Sequence, residues 1–313
     1  MKLLSVTGSV PDSPARLEPS HRPPLRIGAV QHRWHPDPAE HRDALREGVL
    51  LAAAQGATVI CLQELTLSPY FAVTPGGPTA GRATPEPLPG GPTYEFAAGL
   101  AAETAAYVHA SLYEAPSADD GDGLGFNTAI CVAPDGALVA RTRKLHIPRG
   151  EGYHEDHYFR PGTTGYPAVA IAGGTFGFPT CWDQWFPELA RAYSLAGAEV
   201  LVYPTAIGSE PELPGFDTEP LWHQVIVANG IANATFMVAV NRVGHEPPLT
   251  FYGSSFISDP YGRVLVQAPR DEPAVLVADL DLDQRRDWLH LFPFFATRRP
   301  DTYGSLVDGV ASG

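Results

Sequence analysis

At three places in this sequence a reactive side chain closes a strand-like run. They are Glu64 in TVICLQELTLSPY, Lys144 in RTRKLHIP and Cys181 in FPTCWDQWFPE. Cys181 stands before Pro187 and Glu188, residues that suit the first turn of a helix. Free backbone N–H groups at such a strand-to-helix turn lower a thiol pKa and bind an oxyanion. The other cysteines, Cys61 in TVICLQ and Cys131 in TAICVA, lie inside apolar runs and read as core. Position alone leaves Cys181 open between a nucleophile and a small buried hydrophobe.

A nucleophilic thiol needs a base, because at a free pKa of about 8.5 it is mostly protonated at neutral pH. None of the 11 histidines sits in a recognisable Cys–His signature. Glu64 is the better candidate: a carboxylate held against an apolar wall can take a thiol proton. The alternative is a solvated loop acid. Lys144 is either an exposed lysine or a fixed ammonium that stabilises an oxyanion. Each is weak singly, and the three strand-end positions strengthen one another.

These side chains need a scaffold. The spacing predicts a strand at 25–32, a helix over 38–55 with Gly56 past its end, and a buried strand at 58–62. The Pro- and Gly-dense loop 68–93 has the length that often borders an active site. A helix at about 93–106 and the strand YVHASLYEA follow, then a turn-rich connection over 117–125. NTAICVAPDGALVARTRKL reads as two strands around a Pro-Asp-Gly turn. Strand TFGFPTC, helix PELARAYSLAG and strand EVLVYPT come next, then helix LWHQVIVANGIANA, strand FMVAVNRV and the closing strands SSFISDPYGRVLVQA and AVLVADLDL. Interleaved helices and strands define an α/β protein, with two sheets face to face and helices outside. Residues 1–24, rich in Pro and Ser without a period, are expected to be a flexible leader. One domain is expected over 25–305, with a tail at 306–313.

The composition bounds the rest. The chain has 313 residues, 44% hydrophobic and 18% charged, enough for a substantial core. A net charge of −14 argues against a nucleic-acid partner. It suits a cationic small molecule, or simply a solvated acidic surface. No apolar run approaches a membrane span, and the expected location is the cytoplasm. Three cysteines, an odd number, argue against a disulfide framework.

Three stretches, ATVICLQELTLSPYF, RKLHIPRGEGYHEDHYFRPG and CWDQWFPELAR, resemble the motifs of the nitrilase (carbon–nitrogen hydrolase) superfamily, and the likeness runs from about residue 25 to 305. The resemblance implies an α-β-β-α sandwich and a Glu–Lys–Cys triad at Glu64, Lys144 and Cys181. A second family glutamate falls on Glu155 of HEDHYF. In the implied reaction Glu64 deprotonates Cys181, and the thiolate attacks an amide-type carbon. Lys144 and backbone N–H groups near Trp182 hold the oxyanion. Ammonia leaves, and water activated by Glu64 hydrolyses the thioester-like intermediate. Glu155 would orient Lys144 or the substrate. No cofactor or metal is implied, and members usually pair into dimers through helices near the nucleophile, with larger homo-oligomers also occurring.

CWDQWFPELARAYSLAGAEVLVYPTAIGSEP is similar to the branch that cleaves a terminal ureido group to an amine, carbon dioxide and ammonia. TFYGSSFIS and VNRVGHE are closer to the branch acting on N-carbamoyl-β-alanine. Phe178-Pro179-Thr180 departs from the small β-branched residues that precede the cysteine in the family. Trp182, Tyr70, Thr205 and Asp183 are the expected pocket lining. Asp183, Glu188, Asp217 and Glu219 could meet an ammonium, and Arg149 or Arg242 a carboxylate. Two rivals remain at this level. The pairs His154/His157 and His32/His35 suggest a metal-dependent amidohydrolase, and a broken triad would suggest a non-catalytic interaction protein.

Overall fold

The computed structural model describes residues 1–77, 83–117 and 122–309. Its elements run in chain order as β1 (Lys2–Val6), β2 (Leu25–Gln31), α1 (Pro38–Ala54), β3 (Val59–Leu62), α2 (Pro92–Thr104), β4 (Tyr107–Glu114), β5 (Phe126–Val132) and β6 (Leu138–Arg143). The second part holds β7 (Val169–Ile171), β8 (Gly174–Gly177), α3 (Pro187–Leu195), β9 (Val200–Thr205), α4 (Glu219–Asn233) and β10 (Phe236–Asn241). It ends with β11 (Val243–Glu246), β12 (Leu249–Tyr252), β13 (Phe256–Ser258), β14 (Val264–Gln267), β15 (Ala274–Leu280) and α5 (Asp283–Leu291).

Among the described residues one sheet has the order β1-β15-β2-β3-β4-β5-β6 and the other β14-β13-β10-β9-β8-β7, with β11 and β12 as a separate ribbon. Alternation along each strand divides the apolar residues between two faces. Ile27, Ala29, Val59, Cys61 and Cys131 meet Phe176, Phe178, Val202 and Val238 between the sheets. The opposite face of the first sheet packs on α1 and α2 through Leu45, Val49, Ala97 and Leu100. The opposite face of the second packs on α3 and α4 through Leu189, Tyr193, Trp222 and Ile226. This is the expected α-β-β-α sandwich. Gly28 lets α1 approach closely, because a Cβ there would stand 2.8 Å from the Ala52 methyl.

Local signals set the helix ends. The Asp37 carboxylate caps α1 by accepting from the Ala39 and Glu40 N–H groups. Pro38, Pro92, Pro187 and Pro220 lie in the first turns of α1 to α4. Among the described residues no helix is long and apolar enough to cross a membrane.

The expectation of a flexible leader over residues 1–24 is corrected. Lys2–Val6 pairs in parallel with Ala274–Ala278 and forms the edge of the first sheet. The Gly8 N–H donates to Asp279, the Ser13 and Tyr261 hydroxyls share a 2.7 Å hydrogen bond, and the His21 N–H and Arg22 side chain reach Asp283. A segment with no period of its own is held by carboxylates on β15 and α5. The chain therefore has no boundary at residue 25. Of the expected tail, residues 310–313 lie outside the described residues, and Gly304–Val307 is a short 3-10 turn.

Candidate active site

Glu64 follows β3, an unbroken run of buried Val-Ile-Cys-Leu, and is fully buried. The chain turns at once, with Leu65 at φ 49°. Lys144 follows β6 and is fully enclosed as well. Its Nζ donates to Glu64 Oε1 at 3.0 Å and to Glu155 Oε1 and Oε2 at 2.9 and 2.7 Å. Asn127 of β5 adds a donor, Nδ2 to Glu64 Oε1 at 2.7 Å. The Tyr70 hydroxyl donates to Glu155 Oε1 at 2.9 Å. A buried ammonium between two carboxylates is tolerable only because every contact is a charge-assisted hydrogen bond. Of the four Glu64 and Glu155 carboxylate oxygens, Glu64 Oε2 is the one left buried without a partner.

These contacts shift the ionisations. Burial works against the Lys144 charge, but Glu155 and Glu64 outweigh it and hold the lysine above its ordinary range. Burial raises the Glu155 carboxyl to about 7 against the pull of Lys144. Two buried carboxylates thus share one ammonium.

Cys181 comes from the other sheet. After β8 the chain continues extended through Phe178-Pro179-Thr180, and Cys181 itself has φ 40°. A non-glycine residue in the left-handed region is held there by its surroundings and often marks a working site. Here a 3-10 turn over Cys181–Trp185 runs into α3, and the Thr180 N–H donates to Asp183 Oδ2 at 3.0 Å. Burial raises the Cys181 thiol well above its ordinary value, and the charge of Glu64 adds to this. Lys144 and the Ala206 N–H pull the other way. The resting form is therefore the thiol, and its reactivity depends on a base.

Cys181 opens onto a cavity of about 320 Å³ whose walls include Arg149, Glu151, Tyr153, Trp182, Glu210 and Phe216. The structure brings Glu64, Lys144 and Glu155 into direct contact, with Cys181 close enough for their charges to act on its thiol. Trp182 lines the cavity. Tyr70 does not, but holds Glu155 from behind.

Two further expected lining residues are corrected. Thr205, the last residue of β9, turns its hydroxyl to the Tyr203 carbonyl, and Ala206 just past the strand lines the cavity instead. Asp183 is committed to the Thr180 N–H and to His146, whose N–H and Nδ1 it meets at 2.9 and 2.8 Å.

Of the other acids, Glu188 is exposed on α3, Asp217 pairs with Arg270, and Glu219 stands 3.9 Å from the same arginine. Arg149 lies at the cavity mouth, its side chain 80% exposed, and Arg242 is buried elsewhere. Sequence reasoning missed Glu151, Tyr153 and Glu210. Their only signal was position: the first two lie between Lys144 and Glu155, and Glu210 follows β9. The His32 ring stacks on those of His35 and His41, and His154 meets His157 edge-on. Among the described residues no three His, Cys, Asp or Glu side chains are grouped to hold a metal ion.

The fold is shared with solved hydrolases. A carbon-nitrogen hydrolase from Helicobacter pylori G27 superposes with a TM-score of 0.79 at 30% identity, covering 90% of this chain and 98% of that one. A mutant amidase from Nesterenkonia sp. AN1, in which acrylamide has added to the active-site cysteine, gives 0.65 at 25% identity over 85% and 98%. The carbon-nitrogen hydrolase family profile matches residues 26–289, and the chain belongs to that family. It is a carbon–nitrogen hydrolase. An N-carbamoylputrescine amidase from Solanum lycopersicum is 40% identical over 90% of this chain and 95% of its own length. A citrullinase from Francisella tularensis is 33% identical over 90% and 98%.

Proposed function

We propose that the enzyme hydrolyses the terminal ureido group of a cationic N-carbamoyl amine such as N-carbamoylputrescine. The products are the amine, carbon dioxide and ammonia. The observation that carries this is the charge of the cavity wall: Glu151, Glu155, Glu210 and Glu212 line it with one basic residue, Arg149. Glu210 is partly buried, burial raises its pKa, and the Thr218 hydroxyl donates to it at 3.3 Å. A half-desolvated carboxylate favours a ligand ammonium. The names of the two relatives above point to the same ureido chemistry.

In the proposed mechanism Glu64 takes the Cys181 proton through Oε2, its free oxygen. Oε1 stays fixed by Lys144 and Asn127. The sulfur attacks the ureido carbon, and Lys144 with backbone N–H groups near Trp182 holds the oxyanion. The proton passes to the terminal nitrogen and ammonia leaves, so the carbon stays bonded to sulfur with the substrate chain attached. Water, deprotonated by Glu64, attacks next and the C–S bond breaks. The carbamic acid released decomposes to amine and carbon dioxide. Glu155 holds Lys144 throughout.

Ammonia release should be measured with N-carbamoylputrescine, citrulline, N-carbamoyl-β-alanine, simple amides and nitriles. N-carbamoylputrescine should give the highest kcat/KM. Glu210→Gln should raise its KM by roughly tenfold, about 1.4 kcal/mol, and leave a neutral alkylurea unaffected. Preference for a plain amide or nitrile would sink the ureido reading.

The proposal extends to assembly as a homodimer through α3 and α4, where Leu195 and Leu221 are 46% and 48% exposed. Sedimentation should show two chains per particle. A monomer at micromolar concentration contradicts it.

A further inference from the structure

Arg242 entered as a candidate anchor for a substrate carboxylate, but its guanidinium is fully buried and does not line the cavity. It instead grips one turn. Nη2 donates to the carbonyl oxygens of Glu64, Leu65 and Ser68 at 3.1, 3.1 and 2.9 Å. Nη1 donates to Glu246 Oε1 at 2.7 Å. Glu246 Oε2 in turn accepts the Tyr70 N–H at 2.8 Å. The pair therefore holds both ends of the segment from Glu64 to Tyr70.

That segment carries two parts of the site. Glu64 begins it, and Tyr70, whose hydroxyl donates to Glu155, ends it. Leu65 within it has φ 49°, a conformation its surroundings must impose. The topology gives the grip its meaning. Glu64 follows β3 of the seven-stranded sheet, whereas Cys181 and Arg242 follow β8 and β10 of the six-stranded sheet. Base and nucleophile thus sit on different sheets, and Arg242 reaches from the nucleophile's sheet to the base's turn. A planar fork with five donors can hold several carbonyls at once. A lysine ammonium cannot span the same set.

We propose that Arg242, clamped by Glu246, is a positioning residue that fixes Glu64 and Tyr70, and through Tyr70 Glu155, against Cys181 across the sandwich. The inference rests on the reading of Glu64 as the base. It predicts a loss in kcat rather than in KM, because neither residue of the pair touches the cavity.

The test uses Arg242→Lys, Glu246→Gln and, in parallel, Glu64→Gln. Steady-state kinetics with N-carbamoylputrescine are combined with the pH profile of Cys181 alkylation by iodoacetamide. Arg242→Lys should lose roughly ten- to a hundredfold in kcat with KM nearly unchanged. Its alkylation profile should shift from that of the wild type, since the thiol responds to where the Glu64 and Lys144 charges sit. Should Arg242→Lys not fold, Glu246→Gln should show the same kcat-only loss at roughly three- to tenfold. A folded Arg242→Lys with wild-type kcat and alkylation profile, beside an inactive Glu64→Gln, overturns this inference alone. A lowered melting temperature with unchanged kcat does the same. An active Glu64→Gln overturns the base reading and the inference with it.

Discussion

Cys181→Ala releases no measurable ammonia from any ureido substrate and melts within a few degrees of the wild type. The loss in kcat is on the order of 10⁴-fold or more, the scale seen when a covalent nucleophile is removed. Stability is preserved for a structural reason. Cys181 belongs to none of the four apolar clusters that hold the fold. Alanine fills the same left-handed position with no more strain than cysteine. Ammonia assay and thermal unfolding on one preparation check both halves. Turnover within tenfold of wild type would remove Cys181 from the mechanism.

Lys144→Met has the opposite profile, losing activity and stability together. The oxyanion donor disappears, at a cost of roughly 10²- to 10³-fold in kcat. The same change strands Glu64 and Glu155 in a buried site without their cation, a penalty of about 3–5 kcal/mol. The pH dependence separates this from ordinary damage. Without Lys144, burial holds the folded pKa of the Glu155 carboxyl further above its unfolded value. The native state then binds more protons than the unfolded chain, so its stability falls as pH rises. In the wild type Glu155 is already raised from 4.5 to about 7. The deficit of Lys144→Met should therefore be small near pH 4.5 and grow through pH 7 and above. Urea midpoints at pH 5 and pH 8 measure it, and equal deficits at both would contradict the charge account.

The strand ends that carry the reactive groups are legible because each follows a short apolar run whose period is local. Val59–Leu62 before Glu64 is the clearest case. Features that depend on distant pairing are not. The strand at Lys2–Val6 exists because β15 offers an open edge, and KLLSV carries no sign of that partner. Helix α5, DQRRDWLHL, escapes notice because it has few apolar residues to set a period. At the site, Thr205 and Ala206 differ by one position, and the place where β9 ends separates the buried residue from the one that lines the cavity. Asp183 has the right charge for a pocket acid, yet the Thr180 N–H and His146 occupy both its oxygens. Glu210 was passed over because loop side chains have no periodicity to reveal where they point.

The central claim is that the ureido carbon becomes covalently attached to Cys181. Rapid acid quench of the enzyme mixed with N-carbamoylputrescine, followed by peptide mass spectrometry, tests it directly. The account predicts a transient adduct on the peptide containing Cys181, with the mass of the substrate less ammonia. It should be absent in Cys181→Ala and reach a higher level when water attack is slowed. Substrate turnover without any such adduct, or with the adduct on Cys61 or Cys131, would contradict it.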